Sequence, residues 1–110
     1  MLTRDQILGL EDSKKVEVKI PEWGGSVFIK TMSSLERDSF ELDFTENKKA
    51  NFRAKLAVKT VCDENGELLF TEKDALELGR KNAAAMSRIF NEASKLNNFS
   101  NEDIEELEKN

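Results

Sequence analysis

The residues that could do chemistry in this chain are few, and each lacks the neighbour it would need. Cys62 is the lone cysteine, and the sequence contains no histidine and no tyrosine. A nucleophilic thiol needs a general base beside it, and proton transfer near neutral pH falls mainly to histidine. Cys62 also sits on the apolar face of a helical pattern, which predicts a buried structural thiol. The stretch Val61–Glu72 comes nearest to a metal loop. Asp63, Asn65, Gly66, Leu68 and Glu72 match the third, fifth, sixth, eighth and twelfth places of an EF-hand pattern. The first place, normally an aspartate, is Val61, which cannot coordinate calcium, so a plain turn is expected. Neither GxGxxG nor GxxxxGK(S/T) occurs. The expectation is therefore a protein that is not an enzyme, with no catalytic residues, no metal and no cofactor.

Binding residues are easier to nominate. The net charge is −5 and unevenly spread. Between Asn47 and Cys62 stand five cations (Lys48, Lys49, Arg53, Lys55, Lys59) and no acid, whereas Asn101–Asn110 holds five acids and one lysine. Such blocks form solvated faces, attract one another within or between protomers, or dock a partner. An acidic total argues against nucleic acid, because phosphate contacts need a basic surface. The basic stretch has one aromatic, Phe52, and it falls on the core side, so a platform for stacking bases is not expected. Trp23, the single tryptophan, sits in a glycine-flanked segment. It either folds back as a lid on the core or stands out as an anchor for a partner. Trp23, Arg53, Lys55 and Lys59 are the candidate partner-binding residues.

These residues must be positioned by the elements around them. At 110 residues the chain forms one domain, burying about 60–70% of its unfolded surface. No run of ~18 apolar residues is present, so no membrane span is expected. The acids of MLTRDQILGLED stand where an export signal needs an apolar stretch, which predicts a chain that is not exported. Thr3, with Gln6 three residues on, starts a short helix, and Leu2 and Ile7 have staple spacing. Lys15–Ile20 alternates strictly, placing Val16, Val18 and Ile20 on one face of a strand that Pro21 ends. A second strand over Ser26–Met32 completes an antiparallel hairpin. Alternating Lys15, Glu17 and Lys19 either blocks pairing between protomers along that edge or leaves it open to strand addition.

Ser33 and Glu36 form a capping box that starts a helix through about Phe44. Its apolar face is broad, with Glu36, Phe40 and Phe44 four apart and Leu35 and Leu42 seven apart. Thr45–Ala50 is a polar loop. A helix over Asn51–Cys62 turns Phe52, Leu56, Ala57, Val61 and Cys62 inward and Arg53, Lys55, Lys59 and Thr60 outward. Asp63–Gly66 turns the chain into the extended step Leu68–Phe70. Thr71 caps a helix that ends near Gly79. Asn82 caps another, in which Met86, Ile89, Phe90, Ala93 and Leu96 follow helical spacing. Asn97–Asn98 stops it. Ser100 with Asp103, and Phe99 with Ile104 as staple, starts a final helix. The fold class is α+β: a small single domain over 1–99, its N-terminal β-hairpin packed with several short helices, and an acidic helical tail over 100–110.

The order of these parts resembles the tail assembly chaperones of long, non-contractile-tailed (siphovirus) bacteriophages. The likeness is carried by PEWGGSVFIK, SSLERDSFE, NFRAKLAVKTVCDENGELLFTEKDALELG, AAAMSRIFNEASKLN and FSNEDIEELEKN, and covers the chain from about Pro21 onward. Its specificity lies in order, spacing and total length. The resemblance implies a non-catalytic chaperone in the host bacterial cytoplasm, absent from the mature virion. Its implied partners are the tape-measure protein and the major tail-tube protein, with no nucleic acid or membrane; a homo-oligomer is left open by the charge blocks and the hairpin edge, not by the resemblance. It also implies a longer form made by a programmed frameshift, since Glu108-Lys109-Asn110 can be encoded by the slippery run A AAA AAC. The alternative is a tail-completion or head–tail connector component that stays in the particle. A small regulator binding nucleic acid through Lys48–Lys59 is a third reading, which the acidic total disfavours.

Overall fold

The computed structural model describes residues 1–46 and 50–108. Asn47, Lys48, Lys49, Lys109 and Asn110 lie outside the described residues, as do the side chains of Phe44, Thr45 and Glu46. Part of the basic block, part of the expected polar loop and the last two residues, Lys109 and Asn110, therefore fall there.

Alternation builds the sheet. Strands β1 (Lys15–Ile20) and β2 (Gly25–Lys30) pair antiparallel from Lys15 opposite Lys30 to Ile20 opposite Gly25. Between them Pro21–Trp23 makes one turn of 3-10 helix. Gly24 closes it with a φ of 69°, which glycine adopts without a Cβ clash. The apolar face deepens along β1: Val16 is exposed, Val18 half-buried and Ile20 fully buried. Val16 thus departs from the expected buried face. β2 also stops earlier than Met32. The Met32 N–H is claimed by the Asn97 side chain at 2.7 Å, so the chain leaves the ladder to meet the helical layer.

A third strand was not expected. Helix α3 (Phe52–Thr60) stops before Val61, and β3 (Val61–Cys62) pairs with β2, Val61 against Ile29 and Cys62 against Phe28. Helical spacing alone carried the expected helix on to Cys62. The β-branched Thr60 and Val61 favour extension, and β2 offers the ladder partners. Thr60, expected outward, is buried, and its hydroxyl donates to the Leu56 carbonyl at 2.8 Å. The Asp63–Gly66 turn forms as expected. Asp63 Oδ1 accepts from the N–H of Asn65 and of Glu67, and Gly66 has a φ of 84°. Leu68 then bridges back to Cys62, which covers the β3 edge.

Six α-helices accompany this sheet among the described residues. They are α1 (Arg4–Leu8), α2 (Ser34–Glu46), α3, α4 (Ala75–Leu78), α5 (Ala83–Leu96) and α6 (Asn101–Glu108). Helix α2 runs past the expected end, through Thr45 and Glu46. The helix expected after Thr71 is split into a 3-10 turn over Glu72–Asp74 followed by the short α4. Helix α5 is the centrepiece. Asn82 caps it by accepting from the Ala85 N–H at 3.0 Å, and Ala85, Met86, Ile89, Phe90 and Ala93 are buried against α3 and the hairpin. Asn98, with a φ of 57°, ends it in the left-handed conformation that asparagine tolerates. Helix α6 folds back so that Leu107 is buried in the same core, with Phe99 and Ile104 packed beside it.

Candidate partner-binding surface

The four nominated residues end up in different settings. Arg53 projects from the first turn of α3, where its guanidinium stacks over Phe52 at 4.6 Å and Phe90 at 5.8 Å from the ring centroids. It also lies 3.6 Å from Glu108 of α6, which joins the basic block to the acidic one inside the protomer. Lys55 pairs with Asp43 of α2 at 3.3 Å. Lys59 reaches Glu72 at 3.2 Å and donates to the Ser39 hydroxyl at 3.3 Å. All three cations thus brace α3 against neighbouring elements, with the stems of Lys55 and Lys59 largely covered. Trp23 sits in the 3-10 turn between β1 and β2 and is 40% exposed. Beside it Glu22 is gripped by Arg88 of α5 at 2.8 Å. That hydrogen bond, from the side chain, holds the Glu22 carboxyl below its ordinary range.

Apolar side chains with no cover are the features that sequence reasoning missed. Leu35 and Leu42 of α2 were counted toward its inward face, yet they are 79% and 59% exposed. At ~100° per residue they lie on roughly the opposite side of the helix from buried Phe40, and that angular offset was the available signal. The edge facing α6 forms a groove of about 340 Å³, floored by Phe40, Phe99 and Leu107 and rimmed by Arg37, Asp103 and Glu106. Arg37 lies over the Phe99 ring at 4.2 Å and donates to the Asn97 carbonyl at 3.2 Å. Asp103 caps α6, accepting from the Ser100 N–H at 2.9 Å. This backbone bond, then the Ser100 hydroxyl and the Arg37 charge, hold its carboxyl below the usual range.

The possible chemistry is narrow. Cys62 is buried at the sheet, and desolvation pushes its thiol up despite the opposing pull of Lys30 and Lys15. A buried protonated thiol is a poor nucleophile. Among the described residues no group of acids and cysteine is arranged to hold a metal, and no helix is long and apolar enough to cross a membrane. What the surface offers is contact.

Comparison with known proteins gives that contact a setting. The model of the phage tail assembly chaperone family matches residues 10–110. The chain belongs to that family. Tail assembly chaperones have a role that is not enzymatic, and the family match supports that role for this chain. The match reaches further toward the N-terminus than the resemblance from Pro21 onward. Among solved structures, the chaperone shares its fold with the bacteriophage HK97 tail assembly chaperone. The TM-score is 0.66 at 17% identity, covering 88% of this chain and 95% of that one. No curated protein matches.

Proposed function

We propose that this tail assembly chaperone binds the tape-measure protein of its phage, keeps it soluble and helps the major tail-tube protein polymerise around it. It acts in the host bacterial cytoplasm and is absent from the mature virion. The observation that carries this reading is the uncovered pair Leu35 and Leu42, seven residues apart on one face of α2. A seven-residue spacing of leucines suits a helical partner laid along the helix, and the tape-measure protein is long, helical and prone to aggregate. Arg53, Lys55 and Lys59 serve the reading by holding α3 and its neighbours in place.

The test is co-expression of the tagged chain with its native downstream genes. Soluble recovery of a long tape-measure-like protein should require the chain, and Leu35→Glu combined with Leu42→Glu should abolish co-purification while leaving the chaperone folded. Mass spectrometry of purified virions should find no copy. A tape-measure protein equally soluble without the chain, or a chaperone present in virions, overturns the reading. The native gene should also carry the slippery run at Glu108–Asn110 and yield a minor longer product, and a gene without that run removes only this part.

A further inference from the structure

We infer that β1 is the seam of a two-fold dimer, in which the edge strands of two copies pair antiparallel about Val18. β1 pairs with β2 on one side only, and among the described residues nothing pairs with its other edge. The Thr31 N–H donates to the Lys14 carbonyl at 2.8 Å. Strand alternation therefore turns the amides of Val16, Val18 and Ile20 toward β2 and those of Lys15, Glu17 and Lys19 outward. The register of β1 on β2 is unbroken, without a bulge to twist the edge away. The side chains of Lys15, Glu17 and Lys19 are exposed.

Edges of this kind are protected by repeated like charge, proline or a covering element. Here the sign alternates, so charge selects a register instead of forbidding them all. Pairing centred on Glu17 sets Glu17 against Glu17 of the second copy and Lys15 against Lys19, which is repulsive throughout. Shifting the centre to Val18 sets Glu17 against Lys19 of the second copy, and two-fold symmetry makes that pair twice. The same shift places Val16 opposite Ile20 and Val18 opposite Val18 on the apolar face. Centring on Val16 also pairs unlike charges, Lys15 with Glu17, but sets Lys14 against Val18 on that face. Pro21, which has no N–H, ends the ladder beyond Lys19. Helix α5 flanks the strand with Arg88 and Glu92. Both have partners already, Glu22 at 2.8 Å and Lys95 at 3.8 Å.

The seam accounts for two other features. Residues 1–17 are an ordered arm in which every residue is exposed, although Thr3 and Gln6 close a complete capping box on α1. In the Val18-centred register, Lys15 faces Pro21 of the second copy, where the ladder ends and the 3-10 turn to Trp23 begins. The arm then leaves its strand beside that hairpin tip, where Leu10 and Trp23, both partly exposed, cover one another.

This inference stands apart from tape-measure binding and is tested on the purified full chain by sedimentation over a concentration series. The wild type should be dimeric. Glu17→Lys and Lys19→Glu each turn both pairs repulsive and should weaken dimerisation about tenfold or more. A mixture of the two variants should form heterodimers, and the double variant Glu17→Lys/Lys19→Glu should recover the homodimer. All the altered side chains are exposed, so circular dichroism should be unchanged. A monomeric wild type overturns the inference, as does a dimer indifferent to both charge reversals. Sensitivity to Glu17→Lys without sensitivity to Lys19→Glu places the seam on Lys15 and overturns the Val18 register.

Discussion

Gly79 is the position where neighbouring structure should reverse the sign of a substitution. It closes α4 with a helical φ of −65°, so alanine fits its backbone and would by itself stabilise by about 0.4–1 kcal/mol. Asn51 stands in the way. A Cβ on Gly79 would overlap the Asn51 Oδ1 and lie 2.8 Å from its Cγ. Asn51 has little room to yield, because its Nδ2 donates to the Ala75 carbonyl at 2.8 Å and its backbone is left-handed at a φ of 59°. Displacing it loses one hydrogen bond, about 0.5–1.5 kcal/mol. Forcing it off its rotamer costs about as much again. Gly79→Ala should therefore destabilise the native chain by about 1 kcal/mol net. In an Asn51→Gly background the obstacle is gone and glycine suits the left-handed backbone. There the same substitution should stabilise by about 0.4–1 kcal/mol. Urea unfolding of the four proteins gives the cycle, with an expected coupling of about 2 kcal/mol. Gly79→Ala having the same effect in both backgrounds, within about 0.5 kcal/mol, would refute the close-approach argument.

Two further outcomes follow from the core and from the charges. Leu107→Ala should cost about 2–4 kcal/mol in urea unfolding, since the side chain is buried in the main core; a loss below about 1 kcal/mol would show that α6 contributes little to it. The Glu22 carboxyl should titrate below an ordinary glutamate by NMR, and Arg88→Gln should move it back up. Its folded pKa is depressed, so the contribution of this pair to stability is present above the unfolded glutamate pKa and is lost as pH falls through the folded value. An unchanged midpoint in the Arg88 variant would exclude the pair as the cause.

Local chemistry was legible wherever a residue acts on its near neighbours. Thr3, Ser33, Asn82 and Ser100 cap helices as their spacing predicts, Asp63–Gly66 turns the chain, and the alternation of Lys15–Ile20 sets β1 to the residue. The buried row of α5 was equally plain, because an amphipathic period and its burial are the same fact seen twice. Those features, with their order along the chain, were enough to suggest the family. Tertiary structure alone decided the rest. Val61 and Cys62 fit a helix by period, and became a strand because β2 presented a ladder. Thr60 went inward with its hydroxyl satisfied by Leu56, and Leu35 and Leu42 stayed outside because they lie across the helix from Phe40, which faces the core. Arg53 found Glu108 across most of the second half of the chain. A sequence states which residues can bury, cap or pair within a few positions. Which distant partner arrives is settled only when the whole core closes, since burial and charge pairing depend on separation in space and not along the chain.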